Sequence, residues 1–255
     1  MAKRKIKKSI KKKLKITTIT TLVLLITSAL IISINYYSIY SQKLTPKDQT
    51  KKYYNISDFG FIKEKSKTDY NNNDIDDYTE FLNAEKQFTK WNPKNISKYY
   101  DNAYPEIEKE GVSADLIWYA LKTAGYDLRK MVDKDIEKTE KKNTYNVETR
   151  DPNIDFRRVQ NLDTFFYRNS KILSTDIYEI GTFMPGDIII LDNNELIGMV
   201  SDKYNQNGVP YIIINRGENQ TQKEEDYLEK SERKVTSHYR FEYNKKIQEL
   251  INEIN

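Results

Sequence analysis

From Ile16 to Gln42 the chain carries no charged residue, and this stretch limits its folding more than any other. Its most apolar part, Leu22 to Ile34, is interrupted only by Thr27, Ser28, Ala29 and Ser33. A helix of about 20 residues crosses a bilayer core, so residues 16–36 are long enough for one transmembrane helix. Thr17, Thr18, Thr20 and Thr21 weaken its first turns, although a hydroxyl in a helix bonds to its own backbone. Tyr36, Tyr37 and Tyr40 suit an aromatic belt at the far interface. Nine basic residues stand between Lys3 and Lys15 with no acid among them. Basic flanks stay in the cytoplasm, so residues 1–15 read as a cytoplasmic tail that also attracts anionic lipid head groups. Such a tail elsewhere would suggest nucleic acid, but its place beside the span makes the membrane the expected partner and nucleic acid not. A cleaved signal peptide is the competing reading. The small residues Thr27-Ser28-Ala29 lie inside the apolar run, directly before Leu30-Ile31-Ile32, which favours an uncleaved single-pass anchor in the cell membrane with the C-terminal part outside.

Residues 37–73 are polar and read as a tether. Tyr53-Tyr54 and Phe59-Gly60-Phe61 interrupt it without deciding between coil and a short ordered piece. Residues 74–255 then carry the folded domain. Its first helix spans Asp74 to Lys90, with Ile75, Tyr78, Phe81, Leu82 and Phe88 on one side. Asp74, Asp76 and Asp77 are explained by the positive end of that helix rather than by a metal. Pro93 and Pro105 keep residues 91–110 irregular.

Gly111-Val112-Ser113-Ala114-Asp115 opens the next helix, in which Leu116, Ile117, Ala120, Leu121 and Ala124 recur at helical spacing and Gly125 makes the stop. Ser113 reads as an N-cap. The same place, at the positive end of a helix, suits a nucleophile of lowered pKa. A charged helix follows from Asp127 to about Lys142, and Leu162, Phe165 and Phe166 mark a short buried one. The period then changes. Strands are expected at Ile188–Leu191, Leu196–Val200, Val209–Ile214 and from His238, with Asp192-Asn193-Asn194 as a tight hairpin connection. Residues 218–234 are strongly charged and read as an exposed loop or short helix, and 244–254 as a terminal helix. Helices first and a small antiparallel sheet afterwards make an α+β fold.

Eight pieces, taken in order, resemble one family. They are Tyr104-Pro105, Gly111-Val112-Ser113-Ala114-Asp115, Gly125-Tyr126-Asp127-Leu128, and Asn153-Ile154-Asp155-Phe156-Arg157-Arg158-Val159-Gln160-Asn161-Leu162 with Phe165-Phe166. Pro185-Gly186-Asp187-Ile188-Ile189, Ile197-Gly198-Met199-Val200-Ser201-Asp202, Asn215-Arg216-Gly217 and His238-Tyr239-Arg240 complete the set. Over roughly residues 80–245 the chain resembles the DUF1287 domain, a bacterial group related to the NlpC/P60 and papain-like cysteine amidases. The resemblance implies a papain/NlpC-P60-like fold, with N-terminal helices packed on a small barrel-like antiparallel sheet.

The departures bear on function. The family pattern reads Gly-Val-Cys-Thr-Asp where this chain has Ser113, and the Cys is the presumed nucleophile. Family histidines stand where Leu196 and Ile214 are here, and a third at Phe156. The chain has no Cys and one His, which excludes disulfides, cysteine metal sites and cysteine catalysis. A serine hydroxyl is a weak acid that needs a positioned base, and Leu196 cannot accept a proton. His238, the sole histidine, reads as structural and bonded to backbone.

Three functions follow. The favoured one is a non-catalytic relative of the amidases that binds peptidoglycan stem peptide or a protein partner, through a cleft formed by Ser113, Asp115, Arg157, Arg158, Leu196 and Asn215. The second is an active serine variant, with Asp115, Asp187 or His238 as the base. The third is a structural partner in a membrane assembly. Arg157-Arg158 suits a carboxylate or phosphate fork, and pairing with Asp155 or Asp187 inside the fold is the competing reading. No cofactor and no metal is expected.

Overall fold

The structure, a computed structural model, describes residues 17–34, 52–101, 104–139, 144–145, 147–217 and 220–254. They fall into two units, one within residues 1–45 and one within 46–255. The basic tail, the tyrosines of the expected aromatic belt and the first part of the expected tether lie outside the described residues.

The first unit holds one helix, α1 (Thr17–Ile34), with mean hydropathy 2.1 and no buried residue, which is long and apolar enough to cross a membrane. Signal sequences share those properties. Thr20, Thr21, Thr27, Ser28 and Ser33 donate their hydroxyls to carbonyls three or four residues back, at 2.8–3.0 Å. The polar residues in the run therefore turn inward on their own helix, which suits an apolar surrounding.

The second unit is a mixed α+β fold. Its helices are α2 (Asp77–Trp91), α3 (Ser113–Thr123), α4 (Leu128–Thr139), α5 (Val159–Asn169) and α6 (Lys245–Ile254). Strands β1 (Lys94–Asn95) and β2 (Glu110–Gly111) form a small parallel pair beside the start of α3. Strands β3 (Lys171–Ile172), β4 (Ile188–Leu191), β5 (Leu196–Tyr204), β6 (Pro210–Ile213), β7 (Glu224–Glu225) and β8 (Val235–Arg240) form an antiparallel sheet in the order β3-β8-β4-β5-β6-β7. The expected barrel-like closure is not what this ladder shows: β3 and β7 stand at opposite edges.

Both faces of the central strands are covered. Ile188, Ile190, Ile197, Met199 and Ile213 meet the helices in one core. Their alternates Ile189, Leu191, Val200, Ile212 and Ile214 meet Phe183, Val209 and Leu228 in a second. That is why β4 is apolar at every position rather than at every other one. The hairpin after it turns on Asp192, Asn193 and Asn194, with φ of 50, 53 and 77°, a backbone that Asn and Asp tolerate better than other side chains.

Helix α3 ends as expected. Gly125 takes φ 90°, its N–H donates to the Lys122 carbonyl, and the Tyr126 N–H reaches back to Leu121. This satisfies carbonyls that the helix leaves free. A Cβ on Gly125 would lie 3.1 Å from Asn71 and 3.2 Å from the Tyr70 ring.

Three expectations change. Residues 52–73, read as tether, are part of the second unit: Tyr54, Ile56 and Phe59 are buried, and Tyr54 bridges Tyr204. The polar residues around them hid a segment in which Tyr54, Ile56 and Phe59 turn inward while Tyr53 stays exposed. The helix expected from Asp74 begins at Asp77, because the Asp76 carboxylate accepts from the Thr79 N–H and hydroxyl and caps it. Within 218–234 the chain adds the edge strand β7.

Candidate functional site

The start of α3 is assembled by backbone first. Gly111 ends β2, Val112 occupies the cap position with extended backbone, and Ser113 is the first residue of the helix. Ser113 is therefore not the N-cap expected from its type. The capping bond comes from inside the helix, where Asp115 Oδ2 accepts the Val112 N–H at 2.7 Å. A Cβ on Gly111 would lie 3.1 Å from Asp115 Oδ2, so a larger residue there would press on that carboxylate.

Asp115, one of the three candidate bases, is held by another side chain. It is wholly buried and clamped by Arg157, with Nε at 2.6 Å from Oδ1 and Nη2 at 2.9 Å from Oδ2. The same guanidinium donates to the Lys98 carbonyl at 2.7 Å and lies over the Tyr100 ring. The Tyr100 hydroxyl donates to Glu110, and its pKa is pushed up to about 12, by burial first and then by that carboxylate. Arg157 is thus committed to the fold, and to Asp115 rather than to Asp155 or Asp187. Arg158 is half exposed and lies 3.7 Å from Asp155, one of the two partners expected.

Ser113 is 6 % exposed, and its hydroxyl makes no hydrogen bond to another described residue. Leu196 opens β5 and packs against the second core, in which Ile214 is fully buried. Phe156 belongs to the first core, edge-on to Tyr104. The three positions at which the resemblance implies histidine are therefore hydrocarbon in packed surroundings.

The other two candidate bases form a separate cluster at β4 and β8. Asp187 receives Arg240 in a bidentate pair at 2.7 and 2.8 Å and the Met184 N–H at 2.8 Å. His238 Nδ1 donates to the Ser174 carbonyl at 2.7 Å, since a carbonyl only accepts, and its Nε2 lies 3.1 Å from Asp187 Oδ2. The Phe183 ring stacks on it at 4.0 Å. The expected backbone bond is present, together with an acidic neighbour that sequence spacing did not reveal.

Asn215 links the two halves of the unit. Its Nδ2 donates to the Gly111 carbonyl at 2.8 Å, its carbonyl accepts from Asn95, and its Oδ1 accepts from Lys223 Nζ at 2.7 Å. Lys223 was hidden among the charges of 218–234, yet it is buried, and burial lowers its pKa. The legible signal is alternation on the edge strand: Glu225 pairs with Arg216, while Glu224 points the other way to Lys86, Lys203 and Ser201. Lys223 also lines a cleft of about 400 Å³ with Lys52, Lys203, Tyr211 and Glu224. Of the candidate residues, then, the fold joins Asp115 to Arg157 and brings Asn215 to the start of α3. It leaves Arg158 at the surface and Leu196 in the second core. Among the described residues no three His, Cys, Asp or Glu side chains group to hold a metal.

Comparison with known proteins agrees with the motif order. An uncharacterized protein, YijF, of Escherichia coli (strain K12) is 34 % identical over 156 residues, which cover 56 % of this chain and 74 % of that protein. No solved structure matches. Residues 82–241 match the family described as a domain of unknown function, DUF1287. These matches, over the stretch that holds the α3 start, Asn215 and the Asp187 cluster, place this chain in the DUF1287 family.

Proposed function

We propose that this chain is a membrane-anchored, extracytoplasmic member of DUF1287 that has lost catalysis and binds acidic peptide, the stem peptide of the cell wall in particular. The reading descends from a kinship between this family and the NlpC/P60 amidases. One observation carries it: among the described residues the hydroxyl of Ser113 has no hydrogen-bond acceptor. Asp115 is held by Arg157, Asp187 by Arg240, and Leu196 and Ile214 supply only hydrocarbon. Acyl transfer by a serine needs a base in hydrogen-bond reach. The lysine-bordered cleft that shares Lys223 with Asn215 suits the carboxylates of a stem peptide. Helix α1 supplies the anchor, uncleaved and with the basic tail inside.

The test uses the purified full chain in detergent micelles with isolated cell-wall sacculi. The expected result is co-sedimentation with sacculi, no released peptide, and the same behaviour for Ser113→Ala. Hydrolysis of wall peptides that disappears in Ser113→Ala would overturn it in favour of an active serine amidase. Capture of a neighbouring membrane protein by crosslinking in cells, with no retention on sacculi, would favour a structural role in a membrane assembly.

A further inference from the structure

The segment leading into α2 has a second character once its contacts are laid out. Asp69 folds the loop around its own carboxylate, Oδ1 accepting the Asn73 N–H at 3.0 Å and Oδ2 the Asp74 N–H at 2.7 Å. Asn72 and Asp74 take φ of 58 and 69°. The Asn71 and Asn73 carboxamides then turn toward one carboxylate, that of Glu80, with Nδ2 of Asn71 at 3.0 and 3.1 Å from its two oxygens and Nδ2 of Asn73 at 2.7 Å.

Glu80 is the observation that points beyond loop geometry. It sits in the first turn of α2, is 7 % exposed, and faces the loop. Among the described residues its carboxylate has no Lys or Arg partner and accepts hydrogen bonds only from the two loop amides. A buried carboxylate without a counter-charge is costly. Behind it stands a second one: Asp77, 2 % exposed, accepts the Tyr70 N–H and the Tyr126 hydroxyl. Two buried carboxylates thus stand side by side here with no Lys or Arg partner among the described residues.

The spacing names what would neutralise it. Counted from Asp69, the residues Asp69, Asn71, Asn73, the Ile75 carbonyl, Asp77 and Glu80 fall at places 1, 3, 5, 7, 9 and 12. This is the order in which a twelve-residue calcium loop offers its oxygens, the last as a bidentate carboxylate. The sixth place needs a sharp turn and is usually Gly; here Asp74 supplies it with a left-handed backbone. Carboxamide oxygen and nitrogen exchange places by a half-turn of the group, which converts the donors now on Glu80 into metal ligands. That turn gives up the Asn71 bond to the Thr123 carbonyl and the Ile75 N–H bond to Asn73 Oδ1, and ion–oxygen contacts replace them. We propose that residues 69–80 bind Ca²⁺ through Asp69, Asn71, Asn73, the Ile75 carbonyl and Glu80. Calcium fits better than magnesium because neutral amides, a carbonyl and a flexible loop suit its larger, looser shell. Two carboxylates make a weak site, with Kd of about 0.1–1 mM, the range of low-charge extracellular modules. The bound ion would clasp the start of α2 to the end of α3, where Tyr70 stacks on Tyr126 at 4.4 Å. The loop precedes the residues that match the family, and the inference does not depend on the proposed peptide binding.

The test is a titration of the EDTA-treated full chain in detergent micelles. Tb³⁺ should give emission sensitised by tyrosine, displaced by CaCl₂. At about 10 mM CaCl₂ the folded-to-unfolded ratio should rise about 10- to 100-fold, with MgCl₂ doing much less. Glu80→Gln should lose both responses, whereas Glu108→Gln, an exposed acid elsewhere, should keep them. Asn73→Asp adds a charge to the ligand set and should shift the calcium midpoint to lower concentration, which keeps the idea testable if Glu80→Gln does not fold. A wild-type chain indifferent to Ca²⁺, an undiminished response in folded Glu80→Gln, or an unchanged midpoint in Asn73→Asp would overturn the site.

Discussion

Glu85 offers the sharpest perturbation of this fold. It lies on α2, is wholly buried, and neither carboxylate oxygen has a hydrogen-bond partner among the described residues. Burial pushes its pKa well above the usual carboxylate value; the charges of Asp202, Glu224 and Asp187 push the same way, and Lys86 opposes them. In the folded protein the group is therefore held neutral across a window that starts near its ordinary value of 4.5. Below that value both folded and unfolded chains carry the proton, and stability is unaffected. Above it the unfolded chain ionises while the folded one does not, so stability falls as pH rises, by about 1.4 kcal/mol per pH unit for one proton, until the folded pKa is passed. Replacing the side chain with leucine removes the titration and also an unsatisfied buried polar group, itself worth about 1–3 kcal/mol. Glu85→Leu should thus be more stable than the wild type by about 1–3 kcal/mol at pH 5, and its advantage should widen toward pH 8. Urea unfolding of the full chain in micelles at several pH values measures both quantities. The other raised carboxylates, Asp77, Asp133 and Asp155, titrate in both proteins and cancel in the difference. A variant no more stable than the wild type, with a difference flat from pH 5 to 8, would refute the reasoning, because the carboxyl would then have a partner in the folded state.

Other outcomes follow from the same contacts. Breaking the buried Asp115–Arg157 pair with Arg157→Met should cost about 3–5 kcal/mol, and Asp115→Leu added to it should restore part of the loss; urea midpoints of the single and double variants check this. Gly125→Ala forces a Cβ into a left-handed turn against Asn71 and Tyr70 and should cost about 1–2 kcal/mol or more, read as a lower Tm. In cells the chain should stay with membranes through a carbonate wash, and a mature form beginning after Ala29 in the medium would exclude the anchor.

The elements themselves were largely legible. Apolar residues at period 3.6 mark α3, four consecutive apolar residues mark β4, and Asp192-Asn193-Asn194 marks the hairpin, because each signal is local. The site was legible only as a set of residue types. That Ser113 and Leu196 replace a thiol and an imidazole follows from aligned motifs. That Asp115 is already spent on Arg157 does not, for the two are 42 residues apart.

Composition and order alone therefore determined that this chain has no cysteine chemistry, one span fit for a membrane, and helices that precede an antiparallel sheet. Tertiary structure alone decided which carboxylates are matched by a guanidinium, as Asp187 is by Arg240 53 residues on, and which, among the described residues, stand buried without one, as Glu80 and Glu85 do. The reason is physical. Periodicity records which face of an element avoids water, whereas the partner of a buried charge is chosen by packing between elements that are distant along the chain.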